Sequence, residues 1–94
     1  MLFLCLGKLS REGKKKIKEA PQRLQKAVET LKSLKAEVKG FYVMLGPYDY
    51  VAIVEAPDTL TAAKASALTS FEGEVDWETY SIIPFEEFAR SLMK

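Results

Sequence analysis

A chain of 94 residues, 48% hydrophobic and 29% charged, has the size and make-up of one soluble globular domain and excludes a disordered or fibrous chain. Its formal net charge of +1 leaves no basic excess to drive non-specific nucleic-acid binding. The absence of histidine excludes imidazole acid/base catalysis, a Ser-His-Asp triad, histidine-ligated haem and most zinc sites.

Residues 1–8 alternate Leu2, Leu4 and Leu6 with Phe3 and Cys5, apolar on both faces, which predicts a central strand. The run lacks a basic n-region and a small-residue cleavage site, so it does not read as a signal peptide. No stretch approaches the roughly 20 apolar residues of a membrane span. Lone Cys5 rules out an intrachain disulfide and fits a reducing cytoplasm. Residues 10–19 are a polar loop or partial helical turn, and Pro21 suits the first turn of a helix. Its stripe is Leu24, Ala27, Val28, Leu31 and Leu34.

Residues 37–46 and 48–56, rich in Val, Ile, Tyr and Phe, predict an antiparallel hairpin turning near Gly46-Pro47. Asp58 is placed to cap a helix with Leu60, Ala63, Ala67, Leu68 and Phe71 on its inner side, ended by Gly73. Residues 74–83 predict a fourth strand, and Pro84 opens a short helix with Phe85, Phe88, Ala89 and Leu92 facing inward. This βαββαβ order with a C-terminal helix predicts an α+β, ferredoxin-like fold: a four-stranded antiparallel sheet with helices on one face, in a single domain over 1–94. Because strands one to three are apolar on both sides, the other face needs a cover, and a second copy of the chain supplies one.

The charges divide along the chain. Residues 1–40 hold eleven Lys or Arg against four Glu, a net +7, and residues 41–94 hold three against nine, a net −6. Two solvated faces that attract each other are the plain consequence; a basic patch for phosphate, nucleic acid or an acidic partner is the functional one.

The segment Gly46-Pro47-Tyr48-Asp49-Tyr50-Val51 resembles the GYD domain family, and the likeness extends over Gly7-Lys8, Ala20-Pro21-Gln22-Arg23, Val38-Lys39-Gly40-Phe41-Tyr42 and Val54-Glu55-Ala56-Pro57-Asp58. The resemblance implies a dimeric α/β barrel, in which two ferredoxin-like sheets pack face to face, and leaves the activity open. Fold-level relatives include cofactor-poor monooxygenases, small dehydratases and effector-binding domains.

Asp49, between Tyr48 and Tyr50, is a candidate general base or ligand contact, or else a turn residue bonding nearby backbone N–H groups. Tyr42, Tyr48, Tyr50 and Tyr80 offer hydroxyls to a ligand or serve as core and interface. Arg23 could clamp a carboxylate or phosphate, and Glu55 needs a partner such as Lys8 or Arg23, or one across a dimer. Lys14, Lys15, Lys16 and Lys18 lack the glycines of a phosphate loop and read as a solvated cluster. Cys5 reads as an inert small hydrophobe. The leading functional reading is a homo-oligomeric small-ligand-binding or regulatory module. A cofactor-independent enzyme with Asp49 or Glu55 as base stands second and a nucleic-acid binder third. No cofactor or obligate metal is expected.

Overall fold

The computed structural model describes residues 1–93. Strand β1 (Leu2–Leu9) is followed by a short helix α1 (Arg11–Lys15), a 3-10 turn (Ile17–Glu19) and helix α2 (Ala20–Ser33). The hairpin β2 (Glu37–Val43) and β3 (Tyr50–Glu55) leads to α3 (Thr59–Leu68), β4 (Val75–Ile82) and α4 (Phe85–Ser91). The four strands form one antiparallel sheet in the order β2-β3-β1-β4, with β1 bonded on both sides, so the ferredoxin-like α+β expectation holds.

The polar stretch after β1 is more ordered than a loop because Ser10 caps α1, its Oγ accepting from the Gly13 N–H at 3.2 Å. Pro21 sits in the first turn of α2 as expected. The hairpin strands are shorter than predicted. The chain leaves β2 after Val43, turns through Gly46 at φ 139°, and closes when the Met44 N–H donates to the Asp49 carbonyl at 2.8 Å.

Strand pleat gives the sheet an apolar face beneath the helices and a second face that is apolar across the middle of β1 and β3 and carries Glu55, Asp76 and Glu78 around it. Phe3, Ala52 and Val54 are buried beneath α2 and α3, together with Leu31, Ala36, Ala56, Ala62 and Ala65. Leu2, Leu4, Leu6, Val51, Ile53 and Ile82 fall on the opposite face by register, where no described element of the chain covers them. The core under the helices is built largely of alanines, and no large side chain among the described residues is fully buried. A core this thin leaves much of the apolar area outside it.

Two helix faces differ from expectation. In α3 the buried side is Ala62 and Ala65, continued by Thr69 at the C-cap, while Leu60 and Leu68 are exposed and Phe71 lies beyond the helix end. Apolar residues surround α3, so spacing could not choose a face; the small alanines won because they let the helix approach the sheet closely. In α4 the stripe of Phe85, Phe88 and Leu92 faces solvent rather than inward, and the helix makes few contacts with the other elements. The radius of gyration, 14.3 Å, exceeds the roughly 12 Å of a compact chain of this length because α4 projects.

Candidate functional site

Where β1 ends and β4 begins, α1 and α2 stand away from the sheet and leave a cleft of about 630 Å³. Leu9, Ile17, Pro21, Leu24, Ala27, Phe41, Val43, Met44, Leu45, Val75 and Trp77 make its walls apolar. A void of about 50 Å³ in the alanine-rich core shares Leu24, Ala27, Phe41 and Trp77 with it, so the cleft runs inward to the core. Cys5 lines that void, and burial pushes its thiol pKa up, as fits an unreactive position.

The polar end of the cleft is a three-residue network. The Arg23 Nε–H and Nη2–H donate to Glu74 Oε1 and Oε2 at 2.9 and 3.2 Å, and Lys16 Nζ reaches Oε2 at 3.3 Å. The Glu74 side chain is only 11% exposed, so this pairing satisfies a carboxylate that would otherwise be costly to bury. Glu74 is aimed there by a tight reversal after α3 in which Phe71, Glu72 and Gly73 have φ of 50°, 59° and 86°. The same reversal sets the Phe71 ring 5.6 Å from the Arg23 guanidinium carbon.

The Arg23 bond lowers the Glu74 pKa below the ordinary glutamate value and raises that of Arg23. A depressed carboxylate pKa adds stability that is present above the unfolded value and is lost as pH falls through the folded one. Urea midpoints measured across the acid range are expected to fall with pH in the native protein and to fall less steeply in Glu74→Gln, the difference being Glu74's share.

Asp49 lies on the opposite wall. Its Oδ2 accepts from the Leu9 N–H at 2.8 Å, and its own N–H donates to the Gly7 carbonyl at 2.8 Å, so the residue carries the β1–β3 ladder past the last backbone pair. This is a backbone-fixing role, anchored on β1 rather than on the turn. Asp49→Ala leaves a part-buried N–H without its acceptor and is expected to cost about 1–3 kcal/mol, whereas Asp49→Asn keeps an acceptor oxygen and costs less, as chemical denaturation would read.

Tyr50 lines the cleft and stacks against Phe41 at 5.1 Å, its phenol pKa raised by burial and by the Asp49 charge. Arg23, Asp49 and Tyr50 therefore line one cleft. Tyr48 and Glu55 do not. The Tyr48 hydroxyl donates to Glu78 at 3.0 Å, with Tyr80 donating to the same carboxylate at 2.6 Å. These bonds raise both phenol pKa values and lower that of Glu78. Glu55 sits at the far end of β3, paired with the Met1 ammonium at 2.7 Å rather than with Lys8 or Arg23.

Glu74 and Glu78 were missed in the sequence. Nothing in local spacing joins Glu74 to Arg23, 51 residues away; the one signal was a carboxylate at the start of a strand behind a Gly-containing turn. No group of three or more His, Cys, Asp or Glu among the described residues is placed to hold a metal ion. No helix of those residues is long and apolar enough to cross a membrane.

The chain is 31% identical over 91 residues, 96% of each chain, to a Thermus thermophilus protein named glutamine synthetase and cystathionine beta-lyase binding protein. No solved structure matches it. Residues 3–92 match the GYD domain, and with nearly the whole chain accounted for, the protein belongs to the GYD domain family.

Proposed function

We propose that the protein is a cytoplasmic, homodimeric regulatory module that holds a small, mainly apolar molecule in its cleft and acts through contact with another protein. The observation that carries this reading is the cleft itself: about 630 Å³, within the range of small-molecule sites, apolar along its walls and charged only where Arg23, Lys16 and Glu74 meet and at Asp49. Such a lining favours a ligand with a hydrophobic body and one polar group able to join the Arg23 network. The homodimer is supported by the apolar patch of the sheet face away from the helices, which a second copy would cover by two-fold symmetry. The role of binding another protein is supported by the name of the Thermus thermophilus relative, which describes a protein that binds two enzymes.

Nucleic acid is a poor fit to the sheet face, because Asp76, Glu78 and Glu55 place carboxylates around Tyr80 and Tyr42 there. As for catalysis, the residue best suited to act as a base, Asp49, is already engaged by a backbone N–H.

Native mass spectrometry of protein purified gently from its own organism tests the reading. The expected result is a dimer carrying a reproducible additional mass, with the additional mass lost and the dimer kept in Ala27→Trp, which fills the cleft from α2. A dimer with no added mass from any preparation overturns the ligand, and a monomer overturns the sheet-face pairing.

A further inference from the structure

Two exposed apolar patches on the chain have charges of opposite sign beside them. One is the mouth of the cleft, where Val43 and Leu45 are 77% and 96% exposed beside Ile17. Lys14 and Lys18, next in sequence to the lining residues Gly13 and Ile17, are exposed and have no ion-pair partner among the described residues. The other is the stripe of α4, where Phe85, Phe88 and Leu92 recur at helical spacing and are exposed, with Glu86 and Glu87 in the first turn. An apolar stripe flanked by acids thus faces no described element of its own chain, and an apolar mouth whose lining residues adjoin these lysines in sequence lacks an outer wall.

Within one chain they cannot meet. The mouth lies at the Leu9 and Val75 end of the sheet, and α4 departs from the Ile82 end, beside Leu2. Seven steps of strand at about 3.3 Å put some 23 Å between those ends. The two connecting residues reach about 7 Å when extended, and seven residues of helix add about 10 Å. Folding back leaves the stripe short of its own cleft.

We infer that residues 83–93 of one copy lie across the cleft mouth of a second copy, with Phe85 and Phe88 against Val43, Leu45 and Ile17, and with Glu86 and Glu87 near the partner's free lysines. Exchanged reciprocally about a two-fold axis, the two arms close two clefts and leave no unpaired end. The cleft is then complete only in the assembly, because its outer wall comes from the other chain. The inference takes the second copy from the homodimer proposed above, and the two can fail separately.

Photo-crosslinking tests it. The photoreactive phenylalanine analogue p-benzoyl-L-phenylalanine is placed at position 88, and isotopically heavy and light chains are mixed so that inter-chain peptides are recognised by mass. The expected products join position 88 to residues 16–24 and 43–45 of the other chain. Glu86→Lys with Glu87→Lys is expected to lower their yield about tenfold, and adding Lys14→Glu with Lys18→Glu to restore it, as reversed and re-paired charges at an interface do. Links confined to the same chain, links to residues 2–6 or 51–53 of the other chain, or no links in a preparation that sediments as a dimer overturn the arm while leaving the sheet-face pairing intact. A yield indifferent to both charge reversals also overturns it.

Discussion

Leu4→Lys is expected to convert the proposed dimer to a monomer, raising its dissociation constant by at least about a hundredfold, or roughly 3 kcal/mol. Leu4 stands at the middle of the bare face, opposite Ile53 on one side and Tyr80 on the other, with Leu2 and Leu6 on the same strand. A residue near the centre of a self-complementary patch meets its own surroundings across the two-fold axis, so one substitution introduces two ammonium groups into one dry interface. The monomer itself should survive, because the uncovered face is where a lysine can remain hydrated. Sedimentation velocity over a concentration series reads the change, and far-ultraviolet circular dichroism confirms that the fold is kept. An undiminished dimer would mean that the chains associate through another surface.

Gly13→Ala is expected to lower stability by about 3 kcal/mol, through overpacking against backbone rather than through conformational strain. A Cβ at this position would stand 2.2 Å from the Glu74 carbonyl oxygen and 3.0 Å from a Leu9 methyl. A side chain could swing aside; a carbonyl cannot do so cheaply, because it already accepts from the Ser10 N–H at 2.9 Å and anchors the start of α1. Moving it would also shift the Glu74 carboxylate from Arg23 and Lys16, so the cleft's polar end should loosen together with the fold. Urea denaturation should show a lower midpoint at unchanged slope, and Tm should fall by more than about 10 °C for a domain of this size. A shift of under about 1 kcal/mol would show that α1 is free to move away from the β4 entrance.

Much of this molecule could be read from pattern alone, and what could not has physical reasons. The two-faced β1 was legible because alternation on both sides has few other meanings. Asp58 capping α3, with its Oδ1 accepting from the Thr61 N–H at 2.8 Å, was legible because a cap is a local device. The inner faces of α3 and α4 were not, for opposite causes. In α3 alanines and leucines lie all round, and the choice is made by how near the sheet the helix must come. In α4 the stripe was correctly identified, but amphipathicity gives a stripe and not the direction it faces. Among candidate site residues, Asp49 and Tyr50 were singled out for charge and aromaticity near a turn and Arg23 for its place in the first turn of α2, and all three line the cleft. Glu74 escaped because its importance comes from a neighbour brought in by the fold.

The sheet order bears on how the chain is made. β1 leaves the ribosome before both of its hydrogen-bonded neighbours, β3 and β4, and the second of these is not complete until Ile82 has emerged. Through most of synthesis a leucine-rich segment with two apolar faces has at least one open edge, the form in which nascent chains pair with one another. The lysines that follow it, from Lys14 to Lys18, emerge next and make this stretch strongly positive before the acidic residues of 41–94 exist to neutralise it. Like charges keep nascent copies apart during that interval. The basic segment that contributes Lys16 to the cleft in the finished protein thus stands beside the central strand while that strand waits for its partners.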